Sequence, residues 1–190
     1  MMKSVLIWLF AAAPVLAHEP IASLSSDWNG DGHADVVLLY RTDDGMADLV
    51  LLMGDGWRGL QPALTLPGVI FAGPMAGQAP ALESRNATSF ALLSEQTGVG
   101  RTPWSQSLTV IWRDGGFVVA GYDYSFYDRL DLSHYGDCSV NLLTSQFTLY
   151  HGPGDEAPEV HREGTTEAVA FPLAELPTGW MAPPCGTLFD

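Results

Sequence analysis

Apolar residues along the chain fall at every second position or in short unbroken runs, and only rarely at the three- and four-residue spacing of an amphipathic helix. Val36 to Arg41 and Leu49 to Met53 are two such runs, joined through Thr42-Asp43-Asp44-Gly45. Asp-Gly between apolar runs predicts a β-hairpin. Ser107 to Arg113 and Phe117 to Tyr122 flank Asp114-Gly115-Gly116 and predict a second hairpin, whose partial alternation over Leu108 to Trp112 implies a half-buried face. Ser89 to Leu93, Ser139 to Leu143, Phe147 to Tyr150 and Ala168 to Leu173 complete the strand candidates. Pro67 to Pro80, rich in Gly, Ala and Pro, and His151 to Gly164, polar with two prolines, read as loops. Asp31 to Leu39 is similar to Asp44 to Leu52; the repeat is too short for a solenoid or propeller unit and reads as two like turn-to-strand passages of one hairpin. No linker divides the chain. The pattern predicts a mainly β protein, a single antiparallel β domain built from hairpins over residues 18–190.

The first residues stand outside that pattern. In Met1 to Ala17, Lys3 precedes an apolar stretch from Val5 to Ala13, and Val15-Leu16-Ala17 ends on a small residue. This is the signature of a cleaved secretory signal peptide over residues 1–17. The stretch falls short of the ~20 residues a spanning helix needs, and no later segment reaches that length. The expected location is periplasmic or secreted. Of the 8 basic residues Lys3 is the sole lysine, so the exported chain has no lysine for Schiff-base or nucleophilic chemistry. With 22 acidic residues the formal charge is −14, which excludes nucleic acid as a partner because phosphate binding needs clustered Lys and Arg. Export also bears on Cys138 and Cys185. In an oxidising compartment two such thiols usually pair, which would tie Pro183-Pro184-Cys185 to the body of the fold; the alternative is two free buried thiols.

Asp27-Trp28-Asn29-Gly30-Asp31-Gly32-His33-Ala34-Asp35 carries the most specific chemistry. Side-chain oxygens recur at positions 1, 3, 5 and 9, glycine at position 6 permits a sharp turn, and position 7 offers a backbone carbonyl. A curled loop of this spacing points Asp27, Asn29, Asp31, the His33 carbonyl and Asp35 at one hard cation. Calcium, which takes six to eight oxygens at about 2.3–2.6 Å, suits it better than magnesium, which demands a near-ideal octahedron. The loop is not an EF-hand: position 12 is Leu38, and a strand-like Val36 to Tyr40 follows where a helix would stand. The alternative is a metal-free turn held by Asx hydrogen bonds.

A calcium loop running straight into a strand resembles the FG-GAP/VCBS type of motif of integrin-like and bacterial extracytoplasmic β proteins, and the resemblance extends over Ala47 to Gly56. Val110 to Asp123 and Cys138 to Ser145 are similar to segments of small bacterial periplasmic proteins that open with one such loop. The resemblance implies the same calcium ligands and a calcium-loop-to-strand N-terminal hairpin. It implies no enzymatic activity.

The remaining constellations are less specific. Tyr122, Tyr124, Phe126 and Tyr127 cluster beside Asp123, Asp128 and Arg129, and form a candidate partner surface for a protein or glycan; the alternative is local packing at a strand end. Asp123 and Asp128 are a candidate carboxylate pair for glycoside hydrolysis. HExxH, G-x-S-x-G and P-loop motifs are absent. The expected function is that of an exported calcium-binding β domain, non-enzymatic, with a binding or envelope-maintenance role. The alternative is an extracytoplasmic hydrolase using paired carboxylates, for example on glycans.

Overall fold

Alternating inward and outward side chains along most strands build two antiparallel sheets in the computed structural model, which describes residues 19–154 and 158–189. The expected signal peptide, residues 1–17, lies outside the described residues, as does His18. The small sheet has the order β1(Ala22–Ser26)-β2(Asp35–Arg41)-β3(Met46–Asp55)-β4(Gly59–Phe71). The large sheet continues the meander through β5(Ala81–Asn86), β6(Ser89–Gln96), β7(Trp104–Arg113), β8(Gly116–Tyr127), β9(Tyr135–Asn141), β10(Gln146–His151) and β11(Val160–Thr165). A two-residue strand, β12(Phe171–Pro172), pairs with the first half of β8. Both sheets are antiparallel and built of hairpin strands, as the sequence pattern predicts.

The predicted turns are where the sequence puts them. The aligned repeat forms the β2–β3 hairpin, with Val36 opposite Leu52 and Leu39 opposite Leu49. At the β7–β8 turn Asp114 and Gly115 take φ of 52° and 84°, the left-handed pair a tight two-residue hairpin requires. Two expected loops are corrected. Pro67 to Phe71 belongs to β4, and Val160 to Gly164 to β11. β4 tolerates Pro62 and Pro67 because it is an edge strand, where a missing N–H breaks no ladder on its open side. The Ala168–Leu173 strand candidate shrinks to Phe171–Pro172, and Leu173–Glu175 turns into a single helical turn.

One buried cluster joins the two sheets. Val37, Leu39, Leu49 and Leu51 of the small sheet and Phe90, Leu92, Leu108 and Val110 of the large one all belong to it. The small sheet leaves the β8–β10 half of the large sheet's inner face to be covered by the C-terminal segment. Trp180 packs edge-on against Tyr122 at 5.4 Å, and Phe189 lies 5.6 Å from Tyr124 and 5.9 Å from Phe126. The Cys138–Cys185 disulfide, with Cα atoms 5.4 Å apart, fastens this segment to β9 and closes a separation of 47 residues. Trp28, fully buried, reaches from the Asp27–Asp35 loop into the same core, 5.1 Å from Phe90 and 6.0 Å from Phe117.

Two outcomes are expected. Replacing both cysteines by serine lowers the unfolding free energy in urea by about 2–4 kcal/mol, the usual contribution of a cross-link of this kind. Trp28→Ala lowers it by about 3–5 kcal/mol, because a large buried ring leaves a cavity that two packed sheets cannot close; an unchanged midpoint would show that the loop is not anchored through this ring.

Candidate functional site

The loop after β1 is a chain of Asx turns. Asp27 Oδ1 accepts from the Gly30 and Asp31 amides at 2.8 and 3.1 Å, and Oδ2 from the Gly32 amide at 2.9 Å. Asn29 Oδ1 accepts from the Asp31 amide at 2.9 Å, and Asp31 Oδ1 from the His33 amide at 2.8 Å. Gly30 and Gly32, at φ of 74° and 88°, supply the left-handed backbone that the curl needs. The Asn29 side-chain amide donates to Asp31 Oδ2 at 2.9 Å, and this bond, with the His33 amide, holds the Asp31 carboxyl below its usual range. Asp31 therefore keeps its charge at the exposed end of the loop.

Asp35 has a different position from the other acids. It is fully buried, with Oδ2 accepting from the Trp28 amide at 3.1 Å and Oδ1 from the Gly54 amide at 2.9 Å. It thus ties the start of the loop to the end of β3. The His33 imidazole stands against Gly56, with Cε1 and Nε2 2.6 and 2.7 Å from where a Cβ on that residue would lie. Among the described residues no three His, Cys, Asp or Glu side chains gather into a metal-binding group. The loop's donor set is mixed: the carboxylates of Asp27 and Asp31, the Asn29 amide oxygen and the His33 carbonyl, with Asp35 offering only the second lone pairs of oxygens that already hold an amide each.

The expected aromatic partner surface is corrected. Tyr122, Tyr124 and Phe126 point inward and are buried, at 0%, 8% and 5% exposure; only Tyr127 is exposed. Period-two alternation on β8 sends these three under the C-terminal segment, and burial pushes both phenols up, so they stay neutral. The Tyr122 hydroxyl donates to Gln106 Oε1 at 3.3 Å.

Asp128 is not placed to act as the proton donor of a catalytic pair. Its buried carboxylate takes a two-pronged contact from Arg101, with Nε 2.9 Å from Oδ1 and Nη2 2.7 Å from Oδ2. The Leu130 and Asp131 amides also donate to Oδ1. The Arg101 bond leads in lowering its pKa to about 2, so at neutral pH it has no proton to give.

The open face of the large sheet carries a groove of about 580 Å³, which the sequence reading missed. Two cross-strand rows line it. Leu93, Ser107, Asp123, Ser139 and Thr148 stand in register from β6 to β10. One pleat along, Glu95, Ser105, Ser125, Asp137, Tyr150 and His161 run from β6 to β11. Ser139 donates to Asp123 Oδ1 at 2.6 Å, and the Ser105 and Ser125 hydroxyls are 2.9 Å apart. Tyr150 lines one end of the groove, with its ring 5.4 Å from that of Tyr135 and the two hydroxyls 3.2 Å apart. A signal for this face was present: Asp123-x-Ser125 and Asp137-x-Ser139 place polar residues between buried ones. Only the strand register brings them together.

The Asp128 clamp has a pH signature. A depressed carboxyl contributes stability that is complete above the unfolded value of 3.8 and is lost as pH falls through about 2. Asp128→Asn is therefore expected to unfold at lower urea than the parent at pH 7, with the gap closing towards pH 2. A gap independent of pH would mean that the ion pair contributes nothing. Compared with family models, curated proteins and solved structures, the chain matches none at a significant level.

Proposed function

We propose that this is an exported, calcium-binding β domain with a binding role, in which the metal orders the Asp27–Asp35 loop and the groove on the large sheet receives the ligand. The observation that carries the binding role is the groove itself. Its volume falls within the range of small-ligand sites, and polar groups converge in it from five or more strands. A disulfide, and the lack among the described residues of a helix able to cross a membrane, are compatible with export. A catalytic role for the Asp123–Asp128 pair has no support, since Asp128 is held by Arg101.

Support for calcium comes from the loop's donor chemistry. Asp27 Oδ1 is filled by two amides, but Asp27 Oδ2 and both Asp31 oxygens accept one hydrogen bond each and keep a lone pair, and Asn29 and the His33 carbonyl add neutral oxygens. The loop resembles the FG-GAP/VCBS motif, which implies Asp27, Asn29, Asp31, His33 and Asp35 as the ligands. A cation would relieve the repulsion between acids placed so close in sequence. It would also tighten a loop whose Trp28 is rooted in the core, so that binding stabilises the whole domain.

A ligand that binds only the folded state stabilises it by RT ln(1 + [L]/Kd), about 2.7 kcal/mol at a hundredfold excess over Kd. Thermal melts of the oxidised protein in millimolar calcium are expected to lie several degrees above those in EDTA. Magnesium should give little shift, and Asp31→Ala should abolish the calcium effect. Equal melts in calcium and EDTA would reduce the loop to a metal-free turn and remove calcium from the function.

A further inference from the structure

The chemistry of the groove narrows its ligand, on the reading that it is a binding site. Three carboxylates face it: Glu95 on β6, Asp123 on β8 and Asp137 on β9. Glu95 and Asp137 accept no hydrogen bond from any described residue, and Asp123 accepts only the Ser139 hydroxyl, so most of their acceptor capacity is open. No arginine is among the described residues lining the groove. Arg85 reaches in from the β5 edge, 3.5 Å from Ser107 Oγ, but is paired with Glu83. The groove is thus a negative trough in a chain that is already strongly acidic.

The arrangement of the acids decides between cations. They are strung out: Glu95 and Asp137 stand in one row three strands apart, about 14 Å along the sheet at the usual strand spacing, with Asp123 between them in the next row. They do not gather into a metal-binding group, so one inorganic ion cannot satisfy them. A neutral sugar would desolvate three like charges without offsetting any. An elongated molecule with several ammonium groups, each bearing three donors and no acceptor, meets both conditions. Tyr150 lines the groove beside these acids, and the Ser105, Ser125 and Thr148 hydroxyls can accept from methylene-linked ammonium groups between them.

We propose that this groove binds a linear aliphatic polyamine, with Glu95, Asp123 and Asp137 each holding one ammonium group. Spermidine, titrated calorimetrically into the purified secreted protein at low ionic strength, is expected to bind saturably at one site. The pair Glu95→Gln with Asp137→Asn should weaken it roughly tenfold or more, and rising salt should weaken it further. Asp43→Asn with Asp114→Asn removes the same charge from hairpin turns outside the groove and should leave the affinity within about twofold. Asp123→Asn alone gives a second readout should the first pair lose its near-ultraviolet circular dichroism. Equal weakening by the groove pair and the turn pair would overturn the site in favour of diffuse charge. Tighter binding of tri-lysine than of spermidine would overturn the polyamine in favour of a basic peptide. Binding of cellotriose without spermidine would overturn the amine assignment while leaving the groove as a ligand site, and binding of neither would overturn both.

Discussion

The inner face of the large sheet is the surface on which the rest of the molecule depends. A seven-strand meander with one apolar face cannot fold alone, because that face must leave water. Two covers share the task. The small sheet lies over the β5–β7 side, and a C-terminal segment with little regular structure lies over β8 to β10. The second cover has few ladder hydrogen bonds of its own. It is held by the β12 pairing, by Trp180 and Phe189 packing on the tyrosines of β8, and by the disulfide to β9. Closing one face frees the other to be polar, so the burial that stabilises the sheet also creates the groove.

Strand β8 shows the coupling residue by residue. Tyr122, Tyr124 and Phe126 go down into the core, while Asp123, Ser125 and Tyr127 go up. A slip of one residue would exchange the two sets and bury a carboxylate. The aromatic residues that look from the sequence like a contact surface therefore set the register. The acids between them become the functional candidates.

The Asp27–Asp35 loop links the same core to the surface through two residues of its own. Trp28 enters the cluster between the sheets, and Asp35 bonds both the Trp28 amide and the Gly54 amide. The ends of the loop are thereby fixed, leaving Asp27, Asn29 and Asp31 to shape the exposed curl. A buried carboxylate with two amide partners is costly to strand, so this staple resists any rearrangement that would free Asp35 for another task.

Much of this was legible in the residues, and the physical reason for each gap is specific. The β2–β3 and β7–β8 hairpins announce themselves because Asp-Gly turns and apolar alternation act over a few residues. The Asx curl of the loop is equally local, as each bond spans two to five residues. β1 and β5 were invisible because Ala22–Ser26 and Ala81–Asn86 are largely polar, and β4 was obscured by prolines that only an edge position allows. The cysteine pairing was readable from the count of two and from the expectation of export, and the structure joins the two. Sequence by itself determined the β class, the turns, the loop's donor set and the disulfide partners, since these rest on short-range geometry and a pair with no other choice. Only the tertiary structure decided which face of β8 is buried, that Asp128 belongs to Arg101, and that Glu95, Asp123 and Asp137 share one groove. Those outcomes depend on strand register and on what covers the sheet, and both are set by contacts between residues far apart in the chain.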